Sequence, residues 1–129
     1  MTDPRRRLGD RGEELAARHL EARGLQVVER NFRTRHGELD VVARDARFLV
    51  FCEVKTRISR GRRSGAGELG PFAAIGARKR LKVRLIAREW LAQRAADVPW
   101  RPELRFDAIG VELDRQGRLA RLEHLEGAF

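Results

Sequence analysis

Asp40, Glu53 and Lys55 are charged residues set inside otherwise apolar, alternating stretches. The segment from His36 to Arg57 reads as two strands joined by a tight turn at Asp45-Ala46. A charge inside such a strand is costly unless it is paired or binds an ion. Glu53 and Lys55 are two residues apart and so share a face of their strand. Where Asp40 falls depends on the turn. A two-residue loop sets it opposite Phe51 and makes it the diagonal neighbour of Glu53, roughly 7–8 Å away. A four-residue loop sets it directly opposite Glu53. A three-residue loop without a bulge throws the two acids onto opposite faces.

Two carboxylates that approach this closely repel unless a cation sits between them. Magnesium suits such a place, because it is hard, prefers oxygen, and takes one or two carboxylates together with waters and substrate phosphate. A lysine one step further along could position a water or neutralise charge developing on a phosphate. That is the equipment for metal-assisted hydrolysis of a phosphodiester. A closed ion-pair network of the same three residues produces the same pattern.

The composition bounds the partner. Lysine and arginine number 28 against 19 acids in 129 residues, a formal charge of +9, which points to a polyanion. Six Phe, two Trp and no Tyr argue against a platform that stacks single-stranded bases. The lone cysteine, Cys52, excludes an internal disulfide and reads as a small buried hydrophobe. The N-terminus lacks an apolar signal core and no run approaches membrane-spanning length, so a cytoplasmic protein with no membrane partner is expected.

The elements that must position the acids follow from periodicity. Residues 1–8 read as a basic, flexible lead, and residues 9–129 as a single domain. The first helix is expected from Gly9 or Asp10 to Arg23, with Asp10 as N-cap, Glu13 completing a capping box and Gly24 as the stop. Leu8, Gly12, Leu15, Ala16, His19 and Leu20 form its inward stripe. Glu13 lies at the edge of that stripe, where its carboxylate could instead reach a site at the border of the core. A strand from Leu25 to Phe32 precedes the hairpin. Residues 58–71 read as a flexible Gly/Arg loop carrying Arg60, Arg62 and Arg63, a candidate substrate flap or a solvated connector. A second helix begins at Phe72 or Ala73 and runs to about Ala95, burying Ile75, Val83, Ile86 and Trp90, with Lys79 the odd member of the stripe. Lys79 could meet a carboxylate or a phosphate. Leu81 and Leu85 make a second apolar edge on which two copies could pair. Strands from Leu104 to Leu113 and Arg118 to Leu125 flank a turn at Asp114–Gly117. Asp107, inside the first of these, reads as an edge-strand charge or a hydrogen-bond acceptor. The fold class is therefore α/β, a mixed sheet flanked by helices.

Gly9-x-x-Gly12-Glu13-x-Leu15-Ala16, Asn31-Phe32-Arg33, Gly37-Glu38-Leu39-Asp40 and Val50-Phe51-Cys52-Glu53-Val54-Lys55-Thr56-Arg57 together resemble the YraN family of bacterial proteins. Arg78-Lys79, Arg105-Phe106-Asp107 and the closing Gly127-Ala128-Phe129 extend the resemblance over nearly the whole chain. It implies a restriction-endonuclease-like core of the PD-(D/E)xK superfamily, in αβββαβ order plus a final strand, near archaeal Holliday-junction resolvases. It makes Asp40 and Glu53 metal ligands, Lys55 the catalytic lysine and Glu13 an accessory acid. Leu39 stands where the superfamily has proline.

The expected function is a Mg²⁺- or Mn²⁺-dependent endonuclease acting on DNA, on branched or otherwise non-standard structures. The ion would be held by Asp40, Glu53 and the backbone carbonyl of Val54. Arg57, Arg60, Arg62, Arg63 and Lys79 would bind the phosphate backbone. The alternative is a nucleic-acid-binding accessory protein without cleavage activity.

Overall fold

A computed structural model describes residues 4–59 and 77–129. The expected loop carrying Arg60, Arg62 and Arg63, and the expected start of the second helix, lie outside the described residues. The chain runs α1 (Pro4–Ala22), β1 (Gln26–Thr34), β2 (Gly37–Arg44), β3 (Phe48–Ile58), α2 (Ala77–Gln93), β4 (Glu103–Leu113) and β5 (Leu119–Leu125), with a short 3-10 turn at Ala95–Asp97. The five strands form one sheet in the order β1-β2-β3-β4-β5. Three neighbouring pairs are antiparallel, and β3 pairs with β4 in parallel, as the helical crossover between them requires.

α1 covers one face of the sheet and α2 the other. Ala16 and Leu20 of α1 pack on Val41, Ala43, Val50, Cys52, Ile109 and Val111. Val83, Ile86, Ala87 and Trp90 of α2 pack on Phe32, Val42, Leu49, Phe51 and Phe106. Phe51 stacks on Phe106 at 5.4 Å and meets Trp90 edge-on at 5.8 Å. Because both faces are covered, the β3 run from Leu49 to Cys52 is buried without a polar interruption.

The hairpin takes the register expected of the four-residue loop. Arg44 pairs with Leu49 and Val41 with Cys52, the register that would set Asp40 opposite Glu53 if the ladder continued one step further. The Asp45 side chain fixes that loop by accepting from the backbone N–H groups of Arg47 and Phe48. α1 begins at Pro4 and not at Gly9 or Asp10. Proline is favoured in a first helical turn, and residues 4–8, expected as a lead before the helix, are part of it. Asp10 then lies in the helix interior, where it cannot act as an N-cap, and Glu13 is released from the capping box. Asp107 is not on an edge, since β4 lies between β3 and β5.

Candidate metal centre

The site lies where β2 and β3 part. Their pairing ends at Val41↔Cys52, although both strands continue beyond it. Past that point the Asp40 carboxylate takes over from the ladder, its Oδ2 accepting from the Val54 N–H at 2.7 Å. Asp40 also marks a break in the side-chain alternation of β2. Leu39 and Val42 both belong to the α2-facing core, whereas Val41 and Ala43 face α1. The matching break in β1 is at Asn31, which stands opposite Asp40 between the pairs Arg30↔Val41 and Phe32↔Leu39. Asn31 has φ 55°, a left-handed conformation that Asn tolerates better than most residues. This paired irregularity lets one carboxylate touch β3 and approach α1 together.

Asp40 and Glu53 line the same cavity, of about 190 Å³, with Glu38, Lys79 and Lys82. That is room for an ion with several waters, at about 30 Å³ per water. Burial pushes the Asp40 carboxyl up to about 7; the Val54 N–H opposes this, and the charges of Glu13, Glu38 and Glu53 add to it. Glu13 approaches from α1, nearly buried at 9% exposure. Its carboxyl is also raised, by burial first and then by Glu38, against a hydrogen bond from Asn31 and the charge of Arg30. One carboxylate oxygen from each of Glu13, Glu38 and Asp40 lies within 4.8 Å of the other two.

Gly12 is what lets Glu13 come so close. A β-carbon there would lie 1.7 Å from the Thr56 Oγ1 on β3, so only a glycine permits this approach of α1 to the sheet.

The donor set fits a hard divalent cation. Among the described residues three buried side-chain polar atoms lack a hydrogen bond, and two of them are Glu13 Oε2 and Glu53 Oε2. Both are carboxylate oxygens at one end of the sheet, where an oxygen-seeking ion would satisfy them.

The remaining expected site residues are placed unevenly. Lys79, near the start of α2, pairs with Glu53 Oε1 at 2.6 Å, so it meets a carboxylate. Lys55 is exposed and is not among the cavity-lining residues. Val54 meets Asp40 through its N–H. Arg57 lies 3.9 Å from Glu112, its neighbour across β4. Sequence pattern did not single out Glu38 or Asn31 as site residues. Glu38 is detectable from the period of two, which sets it beside Asp40 on β2; Asn31 carries no such signal.

The fold is thus a mixed α/β sheet in the order α, β, β, β, α, β, β, in keeping with a restriction-endonuclease-like core, with a cluster of acids where two central strands separate. A sequence model of the "Uncharacterised protein family UPF0102" matches residues 12–111. A UPF0102 protein of Parafrankia sp. (strain EAN1pec) is 48% identical over 125 residues, spanning 95% of this chain and 96% of its own. One from Nocardia farcinica is 43% identical, over 95% of this chain and 88% of its own. One from Pelotomaculum thermopropionicum is 42% identical over 129 residues, the full length of both. The chain belongs to the UPF0102 family, which is the YraN family. Among the described residues, no helix is long and apolar enough to cross a membrane.

Proposed function

We propose that this protein is a Mg²⁺- or Mn²⁺-dependent nuclease acting on DNA, with branched or otherwise non-standard structures as its preferred substrates. The observation that carries this reading is the pair of buried, unpartnered carboxylate oxygens, Glu13 Oε2 and Glu53 Oε2, near the carboxylate of Asp40 in a chain of charge +9. Buried carboxylate oxygens left without a hydrogen bond in a strongly basic protein suit a place that takes a cation.

A bound divalent ion would polarise the scissile phosphate and lower the pKa of an attacking water. Asp40, Glu53 and the carbonyl of Val54 would hold it. The Val54 N–H fixes the carboxylate of Asp40, so this ligand is oriented before any ion arrives. Lys79 pairs with Glu53, and would be free to meet a phosphate if a cation took over that carboxylate. Lys55, exposed beside the cavity on the strand that supplies Glu53, would meet the substrate from the solvent side. Arg57 and the exposed basic residues of α2 would grip the phosphate backbone without reading bases. Leu81, 69% exposed, with Leu85 offers a surface for a second copy, as cutting both strands of a duplex would favour.

The test is a cleavage panel of linear, flapped and four-way DNA with Mn²⁺, run beside Glu53→Ala and Lys55→Ala. Cutting of a branched substrate that both substitutions abolish is the expected result. Cutting that survives both would come from a contaminant. A second reading is a nucleic-acid-binding protein without cleavage, favoured by the Lys79–Glu53 pair occupying one acid and by Lys55 standing outside the cavity. DNA binding that is indifferent to Asp40→Ala, without cleavage of any substrate, would select it.

A further inference from the structure

We infer that the cavity between the C-terminal end of α2 and the starts of β1 and β3 is a pocket for a single nucleobase, stacked at the Arg44–Trp100 pair and read at its edge by Gln26. It is separate from the acid cavity. Arg44 is four residues along β2 from Asp40, about 13 Å at about 3.3 Å per residue. The inference uses no metal ion.

Size, stacking and edge chemistry carry it. The cavity holds about 430 Å³, within the roughly 300–1,000 Å³ of small-ligand pockets. Its wall includes an aromatic ring with a planar cation on it, the Arg44 guanidinium lying 4.1 Å from the centroid of the half-buried Trp100 ring. Unpaired bases are bound by stacking on aromatic rings and on guanidinium planes. Gln26 and Arg44 are direct partners across β1 and β2, so their side chains stand side by side. Both line the cavity, and among the described residues neither side chain has a hydrogen-bond or ion-pair partner. Gln presents a donor and an acceptor, and Arg presents parallel donors, the sets that match the edges of adenine and guanine. The Trp100 Nε1–H is buried without an acceptor, and a ring nitrogen or carbonyl of a base would supply one.

The charges decide between a base and a phosphate. The lining sets Arg44 and Arg94 against Glu29 and Asp97, which leaves no net charge. Arg94 is committed to Glu29, donating to both of its oxygens at 3.0 Å, and Trp90 Nε1 donates to one of them. A phosphate would therefore meet two carboxylates and one uncommitted guanidinium, whereas a neutral ring meets no such repulsion. One pocket takes one base, in keeping with an aromatic content too low for a platform that stacks successive bases. The competing account makes these contacts pins. Arg94–Glu29 would tie the end of α2 to β1, and Arg44–Trp100 would tie the connector after α2 to β2. On that account Trp100→Ala lowers the melting temperature without changing any affinity for a base, and the Gln26 amide has no role.

The experiment measures binding of the full chain, in EDTA and at one fixed salt concentration, to three duplexes of the same sequence. One is fully paired, one carries a single unpaired adenine, and one has an abasic nucleotide in place of that adenine. Deoxyadenosine monophosphate is titrated separately. Wild type should bind the unpaired adenine at least about tenfold more tightly than the abasic duplex, the size of one base stack. Trp100→Ala should erase that difference and leave affinity for the paired duplex unchanged. Gln26→Ala should reduce the difference several-fold while melting as wild type does, and so tests the pocket even if Trp100→Ala fails to fold. Trp100→Phe, which keeps a ring for stacking, should retain most of it. Uptake of the mononucleotide that Gln26→Ala weakens, without preference among the duplexes, also supports the pocket and assigns it to a free nucleotide. Equal binding of the adenine and abasic duplexes with no uptake of the mononucleotide overturns the inference. So does a preference that survives both Trp100→Ala and Gln26→Ala. Because EDTA excludes metal, either result leaves the metal-dependent reading to its own test.

Discussion

At Asp40 three demands meet: burial, a backbone donor and the charges of three other acids. The Val54 N–H holds the carboxylate in place, while burial and then Glu13, Glu38 and Glu53 drive its pKa up to about 7. Such a group destabilises the metal-free chain and becomes favourable only when a cation neutralises it. Asp40→Asn keeps an oxygen that can accept from Val54 and removes the charge. In EDTA near neutral pH this variant should melt higher than wild type, by roughly 4 °C for each 1 kcal/mol gained. The rise in melting temperature that Mn²⁺ gives wild type should be absent. A variant that melts lower in EDTA would mean that an ionised Asp40 is satisfied within the chain. The approach of Asp40 and Glu53 to one cavity could be read from the sequence as an outcome of loop length, because alternation fixes faces and leaves that length open. The Lys79–Glu53 contact joins α2 to β3, and local pattern left a carboxylate and a phosphate equally open as its partner. Asn31 was beyond reach for a different reason: a single left-handed residue in a strand leaves no mark on hydrophobic periodicity.

Between elements, the tightest constraint is the crossing of α1 over β3 at Gly12 and Thr56. A β-carbon on residue 12 would lie 1.7 Å from Thr56 Oγ1 and 2.7 Å from its Cβ, so trimming the hydroxyl alone would not make room. Gly12→Ala should destabilise the chain by about 1–3 kcal/mol, read as a lower urea midpoint. It should also weaken Mn²⁺ binding by displacing Glu13. Gly12→Ala with Thr56→Gly should recover Mn²⁺ affinity, even though glycine in a strand carries its own cost. Gly12 was legible as a member of the inward stripe; the reason it must be glycine required the other element. A second link joins β5 and α1 to β4. Asp107 is fully buried and accepts from Arg105, His124 Nε2 and the Gly127 N–H. His124 Nδ1 in turn lies 3.0 Å from His19 Nε2 on α1. Burial pushes the Asp107 carboxyl up, but His124, Arg105 and Gly127 outweigh it and hold it below its ordinary 3.8. An acid depressed in the folded state binds fewer protons there than in the unfolded chain, so its stabilisation is present above 3.8 and lost as pH falls through the folded value. His19 is lowered from 6.5, by burial, His124 and Arg23. The unfolded chain therefore takes up that proton first, and stability also falls as pH drops through the region just below 6.5. Asp107→Asn should lower the urea midpoint at neutral pH, and the difference from wild type should shrink below about pH 4.

Across the whole molecule, charge is sorted by position. Acids gather where β2 and β3 part, while α2 exposes Arg78, Arg80, Lys82 and Arg88 to solvent. An acidic cavity would repel a polyanion unless cations filled it and a basic surface held the backbone beside it. Arg84 is partly committed elsewhere, lying 4.7 Å over the Phe106 ring and donating to the Phe129 carbonyl. Arg78, Arg80 and Arg88 are therefore the residues on which to test the grip. Replacing all three by Gln should leave Mn²⁺ uptake unchanged and weaken DNA binding equally for all sequences. The slope of log affinity against log salt should become shallower by about 0.9 for each duplex phosphate that the variant no longer neutralises. A salt slope that does not move would separate the α2 face from the substrate path and leave the strand-borne Arg57 and the segment after β3 to carry it. The same measurement on Asp40→Asn probes the cavity itself. Removing one negative charge there should tighten binding in EDTA and leave it little changed in Mn²⁺, since an ion in the cavity supplies positive charge that the substitution partly replaces.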